Sequence, residues 1–207
     1  MSITRRQLAL IAGGSYLVIF SRRFCQFLCP GFITSDTTRS CSGPFTLVRF
    51  GIMAFLATAV FDVIVAWALY ELYRSHPFSL PSTYFRIVHA IIMAIAVFAL
   101  LNVFTAGSKE TILGQVAIFN NIWLIGLFFF GVHLLFLGRI VKQIKFIPYL
   151  ICVAGAMYMI DTGAHFLLEN YDAYAGIFLA LVAIPSIFGE MAFAVWLLLK
   201  GGKDNLS

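Results

Sequence analysis

The chain has 207 residues, 61% of them apolar and only 11% charged, with 22 phenylalanines and a formal net charge of +5. Soluble domains carry about 25% charged residues, so this chain has too little polar side chain to cover itself in water. Its positive charge is small and scattered, which leaves no footprint for nucleic acid and makes the lipid bilayer the expected partner.

A helix that crosses the membrane needs about 20 mainly apolar residues. The pattern predicts an all-α, polytopic transmembrane helical bundle of about six spans in a single domain. The spans fall near residues 7–28, 47–70, 85–105, 116–138, 147–168 and 173–199. The first is the weakest. Gln7–Phe20 is apolar, and Arg22 and Arg23 then interrupt it, at about 2.5–3.5 kcal/mol each for arginine at a helix centre. A short or tilted helix lets them snorkel to the interface. The start, Thr4-Arg5-Arg6-Gln7-Leu8, has the look of a twin-arginine export signal. No small-residue cleavage site is evident, however, and the chain continues into further apolar segments of membrane length. The expectation is therefore a first span preceded by cytoplasmic arginines.

Between the first and second spans, Cys25, Cys29 and Cys41 cluster. A disulfide or a metal site is conceivable, but no histidine lies in that stretch and the spacing fits no zinc pattern. Ser75-His76-Pro77 through Pro81 is expected to break the chain after the second span, because proline lacks a backbone donor and restricts its predecessor. Gly107-Ser108-Lys109-Glu110 separates the third and fourth spans, Arg139, Lys142 and Lys145 mark the next turn, and Glu169-Asn170-Tyr171-Asp172 the last.

Lys and Arg set orientation. With the N-terminus inside, the cytoplasmic side holds nine: Arg5, Arg6, Arg74, Arg86, Arg139, Lys142, Lys145, Lys200 and Lys203. The outer side holds five: Arg22, Arg23, Arg39, Arg49 and Lys109. The expectation is a cytoplasmic-membrane protein with both termini in the cytoplasm.

Ionisable side chains at membrane depth are costly and mark candidate function. At about 1.5 Å of rise per residue, Asp62, Asp161 and Glu190 fall near the middle of the bilayer. Arg86, His89 and His133 fall about 10 Å nearer the cytoplasm. Tyr158, Asp161 and His165 share one face of the fifth helix. The candidate cluster is therefore Asp62, Arg86, His89, His133, Tyr158, Asp161 and Glu190, with Arg86 reaching toward the carboxylates and His133 toward Glu190.

Four readings apply to such a cluster. It could hold helices together, bind or pass a small-molecule ligand or proton, or form a metal-dependent hydrolase with His133, Asp161, His165 and Glu190 as ligands. A haem held by His89 and His133 is the fourth. Against the metal, no short-spaced histidine pair exists, and His133 and His165 lie at opposite depths. The reading is a non-enzymatic membrane protein of unknown role, binding or passing a small ligand or proton, with no cofactor implied. The membrane-embedded hydrolase is the alternative, and the pattern does not specify an oligomeric state. Pro185 is expected to kink the sixth helix.

Several motifs fall in a recognisable order. They are Asp62-Val63-Ile64-Val65-Ala66-Trp67-Ala68-Leu69-Tyr70, then Arg86-Ile87-Val88-His89-Ala90, then Phe130-Gly131-Val132-His133-Leu134 with Gly138. Pro148 with Gly155-Ala156-Met157-Tyr158-Met159-Ile160-Asp161 comes next, and Gly189-Glu190 with Trp196-Leu197-Leu198-Leu199-Lys200-Gly201 closes the series. From about Phe45 to Gly201 the chain resembles the bacterial six-helix membrane proteins grouped as domain of unknown function 4386. The resemblance implies a fold and a membrane address but no reaction. Two departures stand out. His89 occupies a position where that family shows an acidic residue, and Ser21 to Pro44 departs from its apolar first helix. That stretch reads either as a divergent outer loop or as a local reading-frame error.

Overall fold

The computed structural model describes residues 3–28, 44–142 and 144–203, with side-chain surroundings for 3–20, 48–142 and 144–203. Among these, every regular element is a helix: α1 (Arg5–Leu28), α2 (Pro44–Leu72), α3 (Ser79–Leu101), a 3-10 turn (Asn102–Thr105), α4 (Lys109–Ile140), α5 (Ile147–Leu167) and α6 (Tyr171–Leu199). Five of the six, α2 to α6, are long and apolar enough to cross a membrane.

Each helix packs on its neighbour in sequence, and α1 packs on α6, so the six close into a ring. Small residues permit this. A Cβ on Gly131 of α4 would lie 2.6 Å from the carbonyl oxygen of Gly155 on α5, and one on Gly155 would lie 2.6 Å from that of Gly131. The two backbones therefore touch, as in small-residue crossings of membrane helices. The outer surface is apolar: Phe50, Met53, Phe98 and Phe188 are each more than 60% exposed. An inside-out distribution of this kind is stable when lipid covers the exterior, since lipid tails are as apolar as the side chains they meet.

The N-terminal arginines close the ring at one end. Arg6 donates from Nη1 to the carbonyls of Leu197 and Gly201 and from Nη2 to that of Leu198, and Arg5 donates to the carbonyl of Leu72. The last carbonyls of a helix have no partner within it and carry the negative end of its dipole. Arg5 and Arg6 thus cap the ends of α2 and α6, which their reading as orientation signals does not anticipate.

The boundaries furthest from expectation are the starts of α3 and α4. α3 begins at Ser79 rather than 85, with Pro81 as its third residue. Proline does no harm there, because first-turn N–H groups have no partner inside the helix. α4 begins at Lys109 rather than 116, started by Ser108, whose side chain accepts from the Thr111 N–H at 3.2 Å, the usual role of an N-cap serine. α6 begins at Tyr171 and runs on through Pro185 as one helix. The segment 29–43 between α1 and α2, with Cys29 and Cys41, lies outside the described residues, as do the side chains of Arg22, Arg23 and Cys25.

Candidate functional site

Arg86 lies seven residues inside α3 and is completely buried. A charge there needs partners, since an isolated ion in apolar surroundings costs far more than the fold can offset. The ring supplies them from three directions. Asp62 on α2 accepts from Nη2 at 2.6 Å. Nη1 donates to the Tyr16 hydroxyl of α1 at 2.7 Å and stands 3.1 Å from Nε2 of His133 on α4. The guanidinium also lies against two aromatic faces, 4.7 Å from the Tyr16 centroid and 5.4 Å from that of Phe130. Its remaining donor, Nε, is buried with no hydrogen-bond partner among the described residues.

The two histidines are set by their neighbours. His133 Nδ1 lies 2.9 Å from the carbonyl oxygen of Ser82 and 2.8 Å from its hydroxyl. His89 Nδ1 lies 2.9 Å from the carbonyl oxygen of Gly126, and its Nε2 stands 3.8 Å from Asp62 Oδ2. Gly126 makes the first of these contacts possible. A Cβ at that position would sit 3.3 Å from the His89 Nδ1, tight enough to push the ring off the α4 backbone.

Glu190 on α6 joins through hydroxyls. Ser186, one turn earlier, donates to it, and the Tyr158 hydroxyl of α5 is 2.9 Å from Ser186 Oγ. The Glu190 charge also acts on Tyr16 and Arg86. All six helices therefore contribute a polar group to one interior region. Beside His133 lies a void of about 10 Å³, roughly the room one water needs, lined by Tyr73, Ser79, Ser82 and Thr83 among others. It extends toward the end of the bundle where α3 begins and α4 stops.

Of the expected cluster, Asp62, Arg86, His89 and His133 come together, with Tyr158 and Glu190 adjoining them. Asp161 does not. Its carboxylate accepts from the Tyr171 hydroxyl at 2.7 Å, close to the α5–α6 joint and one helix turn beyond Tyr158. His165 leaves the shared face for α4, where Nε2 lies 3.4 Å from Asn121 Oδ1. His133 bonds to Ser82 and Arg86 rather than to Glu190, because α5 stands between α4 and α6 in the ring. The four residues of the hydrolase alternative, His133, Asp161, His165 and Glu190, thus have separate partners. Among the described residues no three of His, Cys, Asp and Glu gather around a point that could hold a metal ion.

Sequence reasoning missed Tyr16, Ser82 and Ser186. The two serines had a usable signal, each lying four residues before a candidate (Arg86 and Glu190) and so on the same helix face. Tyr16 had none, because its partner lies 70 positions away.

Long apolar helices, an apolar exterior and an interior ion pair define a multi-pass α-helical membrane protein. The family described as domain of unknown function (DUF4386) matches residues 11–201. An uncharacterised protein of Archaeoglobus fulgidus is 31% identical over 160 residues, covering 74% of this chain and 85% of the relative. The chain belongs to that family. The match runs from within α1 through the stretch Ser21 to Pro44, further toward the N-terminus than the motifs from Phe45 onward, and the archaeal relative extends the likeness beyond bacteria. No solved structure matches.

Proposed function

We propose that the protein binds and passes a proton, alone or together with a small ligand, through the polar region around Arg86. One observation carries this reading. Among the described residues the two buried carboxylates of this region, Asp62 and Glu190, outnumber its one buried guanidinium, Arg86. Buried charge of one sign in excess needs a compensating cation, and a proton is the smallest that can reach it. Interior Asp, Glu and His are also the groups from which proton paths in membranes are built. The water-sized void beside His133, with Ser79, Ser82 and Thr83 in its wall, supports access from one end of the bundle.

The protein, reconstituted into vesicles holding a pH-sensitive dye, is expected to pass protons under an imposed membrane potential. Glu190→Gln should slow that flux about a hundredfold, the low end of a proton-transfer group's contribution. Wild-type flux no faster than that of protein-free vesicles would sink the reading and leave the region as a scaffold.

The orientation belongs to the same proposal. Arg86 is interior rather than in a loop, so the balance of Lys and Arg becomes eight against five, still favouring both termini in the cytoplasm. A reporter fused after Ser207 should be active only if it is of the cytoplasmic kind. Activity of a periplasmic reporter there would reverse the assignment.

A further inference from the structure

The hydrogen-bond partners of the two buried histidines differ in a way that assigns their protons. For His133, Nδ1 lies 2.9 Å from the Ser82 carbonyl oxygen, which can only accept, and 2.8 Å from the Ser82 hydroxyl. That hydroxyl's own proton has the His133 carbonyl oxygen as acceptor at 3.4 Å, so His133 Nδ1 carries a proton. Its Nε2 faces an Arg86 N–H, which can only donate, so Nε2 carries none. Both positions are decided by neighbours that do not titrate, and His133 is held neutral in one tautomer. For His89, Nδ1 faces the Gly126 carbonyl oxygen and likewise carries a proton. Its Nε2 faces Oδ2 of Asp62 at 3.8 Å, and a carboxylate oxygen welcomes a donor. The second nitrogen of His89 thus has a carboxylate oxygen within ion-pair distance where that of His133 has a fixed donor.

We infer that His89 Nε2, opposed by Asp62 Oδ2, is the reversible proton site of this bundle, and that His133 is a positioning residue for Arg86. Uptake adds one proton to the Nε2 lone pair, giving an imidazolium that donates toward Asp62, and release returns it. No other bond changes.

The charged and titratable groups around His89 fit this assignment. Asp62 approaches from α2, with its other oxygen held by Arg86. Arg86 lies one turn earlier on α3, and His133 acts on His89 from α4, where the Phe130 ring centroid also lies 4.9 Å away. Tyr16 and Glu190 enter through Arg86. With His89 protonated, Asp62 and Glu190 face two cations, Arg86 and His89; with it neutral they face one. The site therefore changes the charge balance on which the proposed proton passage rests.

Nitrogen-15 spectra of histidine-labelled full-length protein in lipid nanodiscs test this directly. His89 and His133 are assigned by the loss of each signal in His89→Gln and His133→Gln. Between about pH 5 and 8, the window natural to histidine, His133 should remain the neutral Nδ1–H tautomer. His89 should pass between that tautomer and the imidazolium. In Asp62→Asn the ratio of imidazolium to neutral His89 at a given acidic pH should fall about tenfold or more, the usual effect of losing an opposite charge at this range. If that variant does not fold, the wild-type spectra decide alone. A His89 in one state across the window, or a His133 that titrates, would overturn the inference whatever the proton flux. A titrating His89 in vesicles that pass no protons would uphold the site and remove only the passage.

Discussion

Two carboxylates that helical rise along the sequence sets at similar depth meet opposite circumstances in this bundle. Asp62 is buried between α2 and α3, bonded to an arginine 24 positions away that is itself shared with α1 and α4. Asp161 sits near the α5–α6 joint and is satisfied by Tyr171, ten positions on, across one short turn. The first also joins consecutive helices, but its arginine is held as well from α1 and α4, so four helices fix its place. The second needs only two consecutive helices. A charge deep in a membrane bundle is thus a long-range commitment, while one near a helix joint can be met locally.

Breaking the long-range arrangement should have the largest effect. Arg86→Leu takes from Asp62 its hydrogen-bonded cation and leaves only His89 opposite it, and removing one partner of a buried pair costs about 3–5 kcal/mol. The unfolding midpoint in detergent should fall accordingly. Arg86→Lys should not restore it, because a lysine ammonium cannot serve Asp62, Tyr16 and His133 with the planar fork of an arginine. The double variant Asp62→Leu/Arg86→Leu should recover most of the loss, since an apolar pair leaves no stranded charge. An unchanged midpoint in Arg86→Leu would mean that the side chain does not bear on the fold.

The network can also be disturbed without touching a polar atom. Gly131→Ala places a methyl against the Gly155 carbonyl and forces apart the helices that carry Phe130, His133 and Tyr158. Overpacking of this kind costs about 1–3 kcal/mol. Detergent unfolding should register it, and no change would contradict the close crossing.

At the joint the expected effects are smaller. Tyr171→Phe removes one hydrogen bond to a partly buried carboxylate, a loss of about 0.5–1.5 kcal/mol, with proton flux unchanged if Asp161 stands apart from the passage. A flux defect equal to that of Glu190→Gln would join the two regions again. The smallest change is Gly163→Ala, two residues from Asp161. A Cβ there meets nothing within 4 Å, so the substitution should be neutral or raise stability by up to about 1 kcal/mol through helix propensity. Its contrast with Gly131→Ala, read in the same melting experiment, separates a crowded glycine from an idle one.

How far these features were legible in the chain differs from residue to residue. Asp62, Arg86, His133 and Glu190 announce themselves by standing inside apolar runs, and their depth can be read from the rise of a helix. The upward reach of Arg86 toward a carboxylate was readable in the same way. The grouping of Asp161 with Glu190 was not sound, because similar distance along two helices does not say which faces meet. Pro81 misled the boundary of α3 because a first-turn proline and a helix-breaking one look alike in sequence.

By itself, then, the amino-acid sequence determined that this is a bundle of membrane-length helices with a few ionisable groups placed inside it, since hydrophobicity and helical rise are local properties of the chain. Tertiary structure alone decided that Tyr16 and Asp62 hold Arg86, that His133 is oriented by Ser82 while His89 faces Asp62, and that Asp161 turns to Tyr171. Those pairings depend on the order of helices around the ring and on how closely glycines let them approach, and both are set by packing between segments far apart in the chain.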